Sequence, residues 1–127
     1  MYKKIANSEK VTRIINEMHS ADNYLTKETT ESLSVAINKL NGELDLCVLK
    51  NERVYYFINA DVDFNIDSEV VHFNSGDLLY LDKDTKYSAT GVFEAVTINV
   101  PAYGVVKDKN WFYLFYFYNK KRYLVIN

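Results

Sequence analysis

Between residues 32 and 100 the chain alternates hydrophobic and polar side chains in short bursts separated by turn-forming clusters. Leu33, Val35 and Ile37 alternate with Ser34, Ala36 and Asn38, and Leu44, Leu46 and Val48 alternate with Asp45 and Cys47. A period of two is that of a strand with one face covered. Asn41-Gly42 stands between the two runs and predicts a tight hairpin, because both residue types tolerate positive φ. Further turns are predicted at Lys50-Asn51-Glu52, Asn59-Ala60-Asp61, Asp67-Ser68, Asn74-Ser75-Gly76, Asp82-Lys83-Asp84, Gly91 and Asp108-Lys109-Asn110. Between them lie β-rich runs at 54–58, 62–66, 70–73, 78–81, 86–90 and 92–100. Short strands at this spacing predict an antiparallel sandwich or barrel. The single proline, Pro101, falls at a strand end, where a missing N–H costs least.

The two ends of the chain read differently. Val11, Ile14, Ile15 and Met18 recur at helical spacing behind Ser8, a capping residue, so a short helix is expected over residues 8–20. His19 would lie beside its buried stripe, near the helix end. Residues 20–31 read as a polar connection. In the C-terminal run 111–118, Trp111, Tyr113, Phe115 and Phe117 would face one side of a strand and Phe112, Leu114, Tyr116 and Tyr118 the other. A strand apolar on both faces invites pairing if left exposed. An aromatic hairpin over 105–126 is expected, either covered within the chain or packed on a second copy as a homodimer.

Composition narrows the class. The 127 residues suit a single domain, 1–127, able to bury a core. A net charge of −2 supplies no basic field for nucleic acid and no polybasic membrane patch. The N-terminus lacks an apolar leader core, and the most apolar run is far shorter than a membrane helix, so a cytoplasmic protein is expected. Cys47 is the one cysteine, which excludes an intramolecular disulfide and reads as a small buried hydrophobe. Four glycines leave no phosphate-cradling loop.

Two stretches resemble the small single-domain cupins, a family of double-stranded β-helix (jelly-roll) barrels. The second cupin motif runs glycine, five residues, proline, one, glycine, two, histidine, three, asparagine. Here Gly76 opens that spacing, Asp82 and Asp84 take the proline and glycine positions, Tyr87 the histidine and Gly91 the asparagine. Residues 53–58, Arg-Val-Tyr-Tyr-Phe-Ile, are similar to a strand common in cupins. The resemblance covers about residues 32–101 and implies an all-β cupin-like barrel there.

The family's metal ligands are usually two histidines and a glutamate from the first motif and a histidine from the second. The glutamate position holds Arg53. The histidine positions hold Cys47 and Leu49, or, with one extra residue, Leu46 and Val48. Leu and Val donate nothing to a metal, so no cofactor and no metal ligand set is expected. Arg53, Tyr55, Tyr87 and Glu94 are the candidate ligand-binding residues, with Glu94 read as interior alongside Val96 and Ile98. Glu94, His72 and Tyr87 are the candidate acid–base groups. The leading expectation is a metal-independent binding protein for a small polar molecule, a carbohydrate or nucleotide-sugar. The alternatives are a metal-free sugar isomerase or epimerase, and a non-catalytic dimeric assembly protein with a side-chain-filled barrel.

Overall fold

The computed structural model describes residues 1–105, so the expected aromatic hairpin over 105–126 lies almost wholly outside the described residues. Seven strands follow a short 3₁₀ turn, Asn7–Glu9: β1 (Val11–Asn16), β2 (His19–Leu25), β3 (Ser34–Val48), β4 (Glu52–Ile66), β5 (Glu69–Asn74), β6 (Leu78–Leu81) and β7 (Lys86–Val100). They pair antiparallel in the order β1-β2-β3-β7-β4-β5, with β6 added to β4. Among the described residues no helix is long and apolar enough to cross a membrane.

The helix expected over 8–20 is not formed. Val11–Asn16 and His19–Leu25 make a hairpin instead, with Thr12 opposite Asp22 and Ile14 opposite Ser20. Four β-branched residues among the first five of β1 favour a strand over a helix. The helix-like stripe also fails to become a buried face, since Val11, Ile14 and Ile15 are exposed. The Asn16 side chain accepts from the Met18 N–H at 2.7 Å and closes the turn.

Three of the expected turns are bends inside continuous strands. Asn41-Gly42 lies within β3, Asn59-Ala60-Asp61 within β4 and Gly91 within β7. Nine residues of straight strand would span about 30 Å. Yet the rings of Tyr55 and Phe64, both on β4, are 5.6 Å apart. The strand therefore doubles back on itself and brings both of its halves to the same interior. A register shift between Phe57 and Asn59 marks the bend and switches the inward positions from odd to even numbers.

Glycine makes the bend possible in the neighbouring strands. Gly42 and Gly91 stand opposite each other, at φ of +134° and +140°. A Cβ on Gly91 would lie 2.5 Å from the Asp61 carbonyl oxygen and 2.7 Å from the Val62 Cα. The three atoms nearest a Cβ on Gly42 would all belong to the Met18 side chain, whose outer end is flexible. The turns at Asp67-Ser68 and at Asp84 fall where the sequence puts them, with all three residues at positive φ.

The doubled strands enclose an aromatic core. Phe57, Phe64, Phe73 and Phe93 interlock, with centroids 5.1 Å apart for Phe57–Phe73 and 5.7 Å for Phe57–Phe64. Leu40, Val62 and Ala95 fill the spaces between them. This core seals one part of the barrel. Toward the other part the inward positions turn polar: Ser34 and Asn38 on β3, Arg53 on β4, Thr97 and Asn99 on β7.

The bend makes unequal demands on its two glycines. Gly91→Ala should cost about 3 kcal/mol, combining backbone strain with a clash against main chain. Gly42→Ala should cost about 1–2 kcal/mol, since Met18 can move aside. Urea unfolding of the two variants measures this directly, and equal losses would contradict it.

Candidate functional site

Alternation in β4 and β7 carries four polar side chains to one place. Arg53 and Tyr55 are inward neighbours on β4, Asn99 is paired with Arg53 across the β4–β7 ladder, and Tyr87 lies near the start of β7. The Arg53 guanidinium donates from Nε to Asn99 Oδ1 at 2.6 Å and from Nη1 to the Tyr87 hydroxyl at 2.6 Å. The Tyr87 and Tyr55 hydroxyls share a further hydrogen bond of 2.8 Å. Asn99 extends the network by donating weakly to Ser34 Oγ, 3.4 Å away. Ser34 Oγ also accepts from the Tyr103 N–H at 2.8 Å.

The network is buried. Tyr87 is wholly inaccessible, Tyr55 nearly so, and Arg53 is 8% exposed. Burial, the effect of the neighbouring Tyr55 and their shared hydrogen bond push the Tyr87 phenol well above its ordinary value, against the opposing pull of Arg53. It therefore stays neutral. Burial works against the Arg53 charge, but the Tyr87 and Tyr55 oxygens outweigh it and hold the guanidinium above its usual value. Arg53 is thus a cation at every accessible pH. No carboxylate among the described residues lies within ion-pair distance of it.

A cavity of about 210 Å³ opens beside this network. Arg53, Tyr55, Tyr87, Thr97 and Asn99 form its inner wall, and Arg13, Ile15 and Tyr103 its rim. The Arg13 guanidinium lies 6.0 Å from the centre of the Tyr103 ring. The side chains of the described residues therefore do not fill the barrel interior completely.

His19, expected at a helix end, begins β2 and lines the same cavity. Its Nε2 is 2.9 Å from Asn38 Oδ1, and Asn38 Nδ2 donates to Thr97 Oγ1 at 2.8 Å. That arrangement puts the ring proton on Nε2 and leaves Nδ1 an acceptor, which is buried and without a partner among the described residues. Desolvation lowers the His19 pKa, so the ring is neutral near pH 7.

Of the expected site residues, the structure brings Arg53, Tyr55 and Tyr87 together and leaves Glu94 and His72 apart. Glu94 lies on the outer face of β7, half-buried and in register with Lys39. The inward positions are Phe93, Ala95, Thr97 and Asn99, so the apolar Val96 and Ile98 mark the opposite face from the one expected. Glu94 borders a second, larger hollow of about 750 Å³, a broad groove open to solvent beside Glu17, Lys39 and Asp61. Its mixed charges and wide mouth suit hydration better than enclosure of a ligand. His72 is on β5, half-exposed, held by Asp63 at 2.7 Å and Asp61 at 3.2 Å. These contacts, that with Asp63 foremost, raise its pKa.

Sequence reasoning missed His19, Asn38, Thr97 and Asn99. The signal lay in the polar members of the alternating runs, which are read by default as the solvent face.

Comparison with known proteins adds the family of folds. No protein-family model matches the sequence, and no curated protein matches it. Among solved structures, KdgF from a Halomonas species superposes with a TM-score of 0.71 at 12% identity, over 82% of this chain and 97% of its own. An RmlC-like cupin from Shewanella frigidimarina gives 0.68 at 12% identity, over 80% and 93%. Pac13, a nucleoside dehydratase whose Streptomyces form has also been seen with uridine, gives 0.70 at 18% identity, over 82% and 86%.

The chain has the cupin fold.

Within a cupin barrel the residue register can now be fixed. Cys47 and Leu49 are buried while Leu46 is 60% exposed, so the first motif's histidine positions fall on Cys47 and Leu49. Cys47 stands opposite Tyr87, and its thiol lies 3.6 Å from the Tyr87 carbonyl oxygen. Burial pushes the thiol up, away from the thiolate a metal would need. A thiol, a leucine, a guanidinium and a phenol do not fit a divalent ion. The guanidinium repels one, and among the described residues no group of three His, Cys, Asp or Glu side chains converges.

Tyr87 couples this site to stability. Its raised folded-state pKa means that the unfolded phenol releases its proton first, so its contribution is complete below about pH 10 and declines above it. Tyr87→Phe removes the hydroxyl between Arg53 and Tyr55 and should cost about 1–3 kcal/mol at neutral pH. In urea unfolding the gap between wild type and variant should narrow from pH 10 upward. A gap that widens with pH would contradict the assignment.

Proposed function

We propose that the protein binds a small polar molecule in the barrel cavity without a metal, through the Arg53–Tyr87–Tyr55 network and the amides beside it. The observation that carries this reading is the cavity itself: about 210 Å³, walled by hydrogen-bonding groups on one side and closed by aromatic rings below. Pockets that fix small ligands combine apolar walls with a few placed polar groups.

Size supports a carbohydrate of one ring. At roughly 30 Å³ per water the cavity holds about seven waters, which is the scale of a monosaccharide. A nucleotide-sugar would have to leave most of its atoms at the rim, near Arg13 and Tyr103. Solved structures of the same fold include Pac13 with uridine, a sugar-bearing ligand, which is in keeping with a sugar-sized occupant here. Homodimer formation through the C-terminal aromatic segment remains part of the proposal, with sedimentation as its test.

The isomerase or epimerase reading loses the base it named. Glu94 and His72, the bases it named, lie on outer faces, while Tyr87, a tyrosine that reading would use as acid, is buried and protonated. Binding is the reading the geometry favours.

Calorimetry against a panel of neutral and charged monosaccharides tests it. At least one member should bind, and Tyr55→Phe should weaken it about tenfold through loss of one hydroxyl contact. A panel that gives no heat, or binding untouched by both Tyr55→Phe and Arg53→Ala, would reject the cavity as the site.

A further inference from the structure

The cavity wall is unbalanced in a way that specifies its occupant. Among the described residues two arginines, Arg13 and Arg53, line it and no Asp or Glu does, although the chain carries 17 acidic residues against 15 basic ones. A guanidinium has five N–H groups. Arg53 uses one on Asn99 and one on Tyr87, which leaves three without a partner among the described residues. The two phenols add another donor. Tyr55 and Tyr87 hold two hydroxyl hydrogens, and their mutual bond consumes one whichever way it points. Tyr87 also accepts from Arg53, so the second hydrogen has no acceptor among the described residues.

The acceptors, by contrast, are already engaged. Asn99 Oδ1 takes Arg53, Asn38 Oδ1 takes His19, Thr97 Oγ1 takes Asn38, and Ser34 Oγ takes both Asn99 and the Tyr103 amide. Two acceptors are exceptions among the described residues: His19 Nδ1, buried with no donor, and Asn23 Oδ1, whose amide nitrogen goes to the Val11 carbonyl. A buried cation without a counter-charge is costly, and its surplus of donors calls for a group made of acceptors.

Resting on the cavity being a ligand site, we propose that its ligand is an anion: a hydroxylated molecule of one-sugar size whose carboxylate or phosphate is received by Arg53 and the Tyr55 hydroxyl, both held in place by the buried Tyr87, with Arg13 at the rim and a ligand hydroxyl available to His19 Nδ1. Carboxylate and phosphate share the chemistry that a guanidinium fork recognises. Neutral sugars lack the charge that completes the site.

The test uses one ring with three different groups at its sixth carbon: glucose, glucuronate and glucose 6-phosphate, titrated calorimetrically into the full chain. At least one of the two anions should bind about tenfold or more tightly than glucose, and its affinity should fall with added salt. Glucuronate alone identifies a carboxylate receptor, and the phosphate alone a phosphate receptor. Arg53→Gln should abolish the preference for the anion. Arg13→Gln, at the rim, serves if Arg53→Gln does not fold. It should weaken the anion about two- to fivefold and flatten the salt dependence. Glucose binding as tightly as both anions, with Arg53→Gln unaffected, would overturn the anion inference and leave the binding site standing. So would anion affinity and salt dependence that Arg13→Gln leaves unchanged. If nothing in the wider panel binds either, the ligand-site reading itself fails.

Discussion

A buried guanidinium with no carboxylate among the described residues to neutralise it is the constraint around which this barrel is arranged. Moving a cation out of water costs several kcal/mol, and polar partners must offset that cost at close range. Arg53 finds them in Asn99 and Tyr87, each at 2.6 Å, and Tyr87 is in turn held by Tyr55. Arg53, Tyr55 and Asn99 meet on adjoining stretches of β4 and β7, while Tyr87 arrives from the far end of β7. Their convergence depends on the doubling back of β4 and β7, and so on the Gly42–Gly91 pair and the bulge after Phe57. Sheet geometry and site chemistry are one problem in this chain.

The aromatic core supports the same site from below. Tyr55 packs edge-on against Phe64, Phe93 and Tyr87 while its hydroxyl reaches the polar network. A tyrosine is suited to this boundary, with an apolar ring and one polar tip. Phe at position 55 would keep the packing and lose the hydroxyl. The cavity is polar because its wall residues bond one another, and rigid because the rings beneath them are interlocked. A site held in this way loses little conformational entropy when a ligand enters.

Much of the fold could be read from the sequence, and the errors have physical causes. Leu78–Leu81 is a strand with the bounds its pattern gives, and the Gly76 motif ends with Tyr87 inside the barrel, as its spacing implies. Asn41-Gly42 failed as a hairpin signal because glycine at positive φ serves a bend as well as a turn. The helix over 8–20 failed because Val11, Ile14 and Ile15 satisfy helical spacing while their β-branches favour a strand. Arg53, Tyr55 and Tyr87 were found because a strand resemblance placed them inward. Glu94 was misplaced for the opposite reason. In β7 the apolar Val96 and Ile98 lie on the outer face, while the polar Thr97 and Asn99 face the cavity. Alternation reports that two faces differ, but a functional interior reverses which one is polar. His19 could not be placed until β2 was recognised as a strand.

The state of the Arg53 guanidinium is what most directly tests this account. The sequence has three arginines, Arg13, Arg53 and Arg122, so nitrogen-edited NMR can resolve each side-chain Nε–H. One Nε–H resonance, assigned to Arg53, should exchange with water far more slowly than that of Arg13 and persist to alkaline pH. Fast exchange at Arg53, matching that of Arg13, would place the guanidinium in solvent and contradict the buried cation on which the fold's interior and its proposed ligand both depend.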